Sequence, residues 1–160
     1  MIALKKRTRK VFTNEILHFD VVDGDTIHCT IDLGYSVYHN TTVRLIRIDT
    51  PEMKGNLLEK LAANRVKDLV AVILGKSFDD RYIDLDSFDR NKMDGYGRVL
   101  GDIYIAAADK NLSNLLVTYG VARPYTKEEG RKPWTEEDLN LIIKKCDEAT
   151  EKLSEGKWEW

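Results

Sequence analysis

A strand that runs into Thr50-Pro51 has to stop there, and this constrains the chain more than any other feature of its sequence. Proline cannot donate to a sheet ladder, and it disfavours helical backbone in the residue before it. The stretch leading to it, Thr41 to Ile48, is rich in β-branched side chains and is expected to be a strand. Asp49, Thr50 and Glu52 are therefore polar groups set on a rigid strand end. Upstream, Ile16 to Val22 and Thr26 to Ile31 flank Asp23-Gly24-Asp25 and show the same β pattern. Gly34 offers a turn before a further β-type stretch, Tyr35 to Tyr38.

Beyond Pro51 the period changes. From Asn56 to Leu74 apolar residues fall at helical spacing, and Gly75 is the expected stop. Tyr82 to Asp86 alternates like a strand, Asp94 to Gly97 makes a turn, and Arg98 to Ile105 is a strand. Asn111 can cap a short helix over Leu112, Leu115 and Leu116 that ends at Gly120. Thr135 can cap a last helix whose apolar stripe, Leu139 to Leu153, suits core packing better than a partner-binding face. Trp158 and Trp160 either staple the end of the chain or hang from it. Strands with inserted helices in this order predict an α+β fold around a small closed barrel.

A chain of 160 residues fits one domain. We divide it into a basic arm, residues 1–12, and a single domain, residues 13–160. The arm carries Lys5, Lys6, Arg7, Arg9 and Lys10, which suits a frayed, solvated end or a contact with nucleic acid. The formal charge of −2 and pI near 6.0 argue against holding nucleic acid by a bulk positive field, and leave room for an enzyme whose positive charge is local. No apolar run reaches the roughly 18 residues of a membrane span. No apolar segment of a secretory signal follows the basic start, so a cytoplasmic location is expected, although a processed secreted form would look the same. Cys29 and Cys146 are too sparse for a disulfide framework or a zinc site and are expected to be small buried hydrophobes.

Three segments place polar residues where a barrel would want packing. In Asp23-Gly24-Asp25-Thr26, alternation puts both carboxylates on one face, where they repel unless something positive lies between them. A tight turn capped by its own Asp is the plainer reading of the same residues. In Val43 to Glu52, Arg44 and Arg47 interrupt an apolar strand, which a salt bridge or solvent could explain. Simple alternation also puts Arg44 and Asp49 on opposite faces, so both reach one site only if the strand bends between them. Asp94-Gly95-Tyr96-Gly97-Arg98, read alone, is a hairpin with an exposed Arg.

Taken together, Asp23-Gly24-Asp25-Thr26, the run Arg44-Leu45-Ile46-Arg47-Ile48-Asp49-Thr50-Pro51-Glu52, and Tyr96-Gly97-Arg98 resemble the staphylococcal nuclease (thermonuclease) family, in that family's order. The resemblance spans about residues 17 to 125. It implies a five-stranded Greek-key β-barrel of the OB-fold type with about three packed helices. It further implies a calcium-dependent endonuclease that hydrolyses DNA and RNA with little sequence choice and leaves 3′-phosphate ends. An OB-type barrel is a familiar platform for single strands, so these are the expected preference, and a monomer is the default because nothing in the sequence signals an oligomer. By the same resemblance Asp25 and Asp49 would ligate one Ca2+ ion, with the Thr50 carbonyl. Asp23 would support them from outside the coordination sphere. Arg44 and Arg98 would clamp phosphate, Glu52 would be the general base, and Tyr96 and Tyr125 would contact substrate. These residue types suit the reaction. Hard oxygen ligands suit calcium, a carboxylate can take a proton from water, and two guanidinium forks match phosphate oxygens.

The chain also departs from the family. Met53 to Asn56 is a shorter connection than the mobile loop of the type member, and Gly95 stands where that protein has a Lys. Arg123 to Pro133 departs from the family's Tyr-rich segment. Weaker general affinity for polyanions is the expected result. Two other readings compete. Glu52-Met53-Lys54 formally fits the E-x-K of another nuclease class, but that class needs it on a strand, and Pro51 opposes one. A non-catalytic, nuclease-like module binding nucleic acid or protein is the other; such modules typically lose carboxylates or arginines that this chain keeps.

Overall fold

The computed structural model describes residues 11–88 and 94–158. Its strands are β1 (Val11–Asp23), β2 (Thr26–Asp32), β3 (Tyr38–Leu45), β4 (Ile48–Asp49), β5 (Ile83–Phe88), β6 (Val99–Ile105), β7 (Lys110–Asn111) and β8 (Arg123–Pro124). The helices are α1 (Leu57–Asp80), α2 (Leu112–Thr118) and α3 (Glu136–Ser154).

β1 is long enough to serve two neighbours. Val11 to Glu15 pair with β5, and Ile16 to Asp23 pair with β2 across register irregularities that let the strand turn. β2 pairs with β3, β5 with β6, and a parallel pairing of Val43 to Leu45 with Val99 to Gly101 joins β3 to β6. The ring β1-β2-β3-β6-β5 is thus closed, and it is the five-stranded OB-type barrel expected, with three helices around it. Alternate residues such as Ile27, Ile31, Val43, Leu45, Leu85 and Ile103 fill its interior.

Helix α1 leaves the strand end after Pro51, with the Asn56 side chain accepting from the Glu59 N–H. It does not stop at Gly75 but continues to Asp80. Contacts beyond Gly75 explain the difference: Ser77 is completely buried and its hydroxyl donates to the Ile73 carbonyl, and the Phe78 ring meets Phe19 of β1 edge-on at 6.0 Å. These contacts outweigh the roughly 1 kcal/mol that glycine costs inside a helix. Helix α3 packs against α1 and begins with a reciprocal cap between Thr135 and Asp138. Asn111 precedes α2 as expected, but its side chain makes no capping hydrogen bond. Tyr35 to Tyr38 is a turn rather than a strand until its last residue, with Tyr35 and Ser36 both in the left-handed region.

Cys29 and Cys146 are free and buried, and burial pushes both thiols up to about 12. Trp158 staples the end of the chain: it packs on the core and its carbonyl accepts from the Tyr119 hydroxyl at 2.9 Å. Trp160 and the basic arm as far as Lys10 lie outside the described residues, while Val11 and Phe12 already belong to β1. Among the described residues no helix is long and apolar enough to cross a membrane.

Candidate active site

The bend that the sequence required between Arg44 and Asp49 is present. The β2–β3 ladder runs on to a hydrogen bond from the Leu45 N–H to the Asp25 carbonyl, at 2.8 Å. The chain then breaks at Ile46 and Arg47, with Arg47 in the left-handed region at φ 64°. A non-glycine residue is uncommon there, and tertiary bonds hold it. The Ile46 N–H donates to Gly101 and the Arg47 carbonyl accepts from Tyr125, at 3.0 and 2.9 Å. The result is a cleft of about 870 Å³ lined by Asp23, Asp25, Arg44, Asp49, Glu52 and Arg98, among others. Tyr96 and Tyr125 also face it, Tyr96 at 86% exposure. Thr50 adjoins the cleft between Asp49 and Pro51 and is itself buried.

Gly24 explains how the two carboxylate segments approach. A Cβ there would lie 2.6 Å from Val66 Cγ1 and 2.9 Å from Thr50 Oγ1. Its absence lets the β1–β2 turn lie directly on Thr50, whose hydroxyl donates to Asp25 Oδ2 at 3.2 Å. The Thr26 hydroxyl donates to Asp25 Oδ1 at 3.1 Å. Asp23 Oδ1 accepts from the Asp25 N–H at 3.1 Å and so braces the turn from behind. Burial, together with the hydrogen bond and charge of Asp25, pushes the Asp23 carboxyl up to about 6.

Arg44 forms an ion pair with Asp25 Oδ2 at 3.2 Å and donates to the carbonyls of Leu45 and Ile48, so its fork spans the bend. Arg98 is aimed by Asp94, which accepts from its Nε at 2.7 Å and from the N–H groups of Tyr96 and Arg98, both at 2.9 Å. Burial raises the Asp94 carboxyl, but these donors outweigh it and hold the group below its ordinary value. The Arg98 guanidinium also lies 5.3 Å from the Tyr96 ring centroid.

Two arginines that sequence reasoning missed complete the cleft. The two-residue ladder between β4 and β8 sets Arg123 opposite Asp49. Arg123 donates to Asp49 Oδ2 from Nη2 at 2.9 Å and from Nε at 3.3 Å, and stacks 3.6 Å over the Trp134 ring. Arg131 reaches Asp49 Oδ1 at 2.8 Å, the Thr50 carbonyl at 3.1 Å, and Glu52 Oε1. The signal was available in the sequence, because both fall in the segment that departs from the family pattern.

The donor chemistry fits a hard cation. Asp49 has a side chain only 2% exposed, and its Oδ1 is buried without a hydrogen bond although an arginine stands beside it. Among the described residues no group of three His, Cys, Asp or Glu side chains could hold a metal. An ion here would therefore rest on Asp25, Asp49, the Thr50 carbonyl and water.

The fold and the site together define a small OB-type barrel whose strand ends gather carboxylates and arginines in one cleft. The family model for staphylococcal nuclease homologues matches residues 42–153, and the chain belongs to that family. The match begins inside β3, so Asp23 to Asp25 enter the site on their geometry. No curated protein matches the chain.

Proposed function

We propose that the chain is a calcium-dependent endonuclease that hydrolyses DNA and RNA with little sequence choice and leaves 3′-phosphate ends. One observation carries this reading: two convergent carboxylates, a third at a strand end, and two arginines share a single open cleft. A bound calcium ion would supply hard positive charge beside the scissile phosphate. Asp25, Asp49 and the Thr50 carbonyl would hold it. Glu52, at 49% side-chain exposure on the cleft rim, would orient a water and accept its proton as the oxygen attacks phosphorus. The 5′ oxygen would leave. Arg44 and Arg98 would fork the non-bridging oxygens, their planar guanidinium groups matching phosphate geometry. The exposed Tyr96 ring beside Arg98 gives a base a surface to stack on, which favours a single strand, and a single copy of the chain carries every group in the scheme.

The test is cleavage of single-stranded DNA with calcium or with excess chelator, beside Arg98→Ala. Calcium-dependent products ending in 3′-phosphate, lost with chelator and strongly reduced in the variant, are expected. Binding without cleavage under any divalent ion would replace this reading with a non-catalytic nucleic-acid-binding module.

A further inference from the structure

We propose that Arg131 is a built-in competitor for the divalent ion: its guanidinium occupies Asp49 Oδ1 and the Thr50 carbonyl, two of the groups that would hold the ion, reaches the Glu52 base as well, and must withdraw before an ion can bind. The inference rests on the metal-dependent reading above and adds a device that regulates that site.

Three observations converge. First, one guanidinium contacts a proposed ligand carboxylate, the proposed ligand carbonyl and the proposed base together. It thus supplies positive charge to the groups an ion would need. Second, its fit to Asp49 is incomplete. Oδ1 lies 2.8 Å from Arg131 Nη2, yet it receives no well-directed hydrogen bond and is buried from water. A spherical ion has no such directional requirement, so it would satisfy this oxygen better than a planar fork does. Third, the two arginines on Asp49 are held differently. Arg123 is fixed by the β4–β8 ladder and by its stack on Trp134. Arg131 follows Gly130, which is in the left-handed region, on a segment where residues 126–129 and 131–133 are exposed. Its side chain is 39% exposed and can swing into solvent without unpacking the core. Asp49 can therefore keep Arg123 on Oδ2 while Oδ1 exchanges an arginine for an ion.

A protein whose binding-competent state is only partly populated binds its ligand more weakly by that fraction. If the closed arrangement is favoured ten- to a hundredfold, removing the fork should tighten calcium binding by roughly the same factor. The experiment is calorimetric titration of the full chain with calcium, without nucleic acid, for the parent, Arg131→Met and Arg131→Lys. Methionine keeps an unbranched apolar stem and loses the charge; lysine keeps a single point charge. The expected order of affinity is Met variant, Lys variant, parent. Unchanged or weaker binding by a folded Arg131→Met would overturn the competition and leave the metal-dependent reading intact. No calcium binding by any of the three would overturn both. In the parent itself, the guanidinium N–H signals of Arg131 should exchange slowly in the metal-free protein and quickly after calcium saturation, while those of Arg123 stay slow. Slow exchange of Arg131 at saturation would also overturn the proposal, even if the variants fail to fold.

Discussion

Gly24→Ala tests how tightly the barrel and the cleft are joined. The new methyl group would sit 2.6 Å from Val66 Cγ1, about 0.8 Å inside ordinary contact distance. Val66 is fully buried on α1 and cannot swing away, and Thr50 Oγ1 at 2.9 Å blocks the other side. Overpacking of this kind costs about 1–3 kcal/mol. For a chain of this size that lowers the melting temperature by roughly 2–4 °C per kcal/mol. The same clash pushes on the Thr50 side chain, which holds Asp25 by a 3.2 Å hydrogen bond. Calcium affinity should therefore fall along with stability. Thermal unfolding and calcium titration of Gly24→Ala, Val66→Ala and the double variant would measure both effects. Truncating Val66 opens the space that the added methyl group needs, so the double variant should lose less than the sum of the two single losses. Parental stability in Gly24→Ala, or strictly additive losses in the double variant, would refute this account of how the turn meets Thr50.

Glu52→Gln removes a half-exposed ion pair with Arg131, so unfolding should shift by less than about 1 kcal/mol. Its cleavage should slow by roughly 10²–10⁴-fold, and parental rates would remove Glu52 as the base. Asp102 accepts from the N–H groups of Ile103 and Ser113, and burial pushes its carboxyl up to about 6. The folded state thus binds that proton more tightly than the unfolded chain, and stability falls as pH rises from the ordinary Asp value toward 6. Asp102→Asn keeps the acceptor and should flatten this slope in urea unfolding, gaining up to about 3 kcal/mol at neutral pH. Asp23 would still contribute a slope of the same sign; an unaltered profile would count against Asp102.

What was legible in the sequence was local. Pro51 ended a strand, Gly120 followed a helix, and Thr135 opened one, because each acts within a few residues of itself. The need for a bend between Arg44 and Asp49 could be read from alternation alone. Its form could not, because partners at Gly101 and Tyr125, far along the chain, hold Arg47 in the left-handed region. Gly75 misled for the same reason: burial at Ser77 and the contact of Phe78 with Phe19 overrode a local stop signal. Arg131 meets Asp49 across 82 residues of sequence, and no spacing rule connects them.

The arrangement also resolves the mismatch between an acidic chain and a polyanionic substrate. Asp23, Asp25, Asp49, Glu52 and Asp94 would together repel a phosphate. Three arginines in or beside the cleft are instead paired with these carboxylates: Arg44 with Asp25, Arg98 with Asp94, and Arg123 with Asp49. The carboxylates thus hold the guanidinium groups in place before substrate arrives, which lowers the ordering cost of binding. These guanidinium groups offset the cleft's own carboxylates while the chain as a whole stays at −2. Affinity for nucleic acid should then depend on a few phosphate contacts in the cleft, giving a shallower salt dependence than a basic surface of the same size would show.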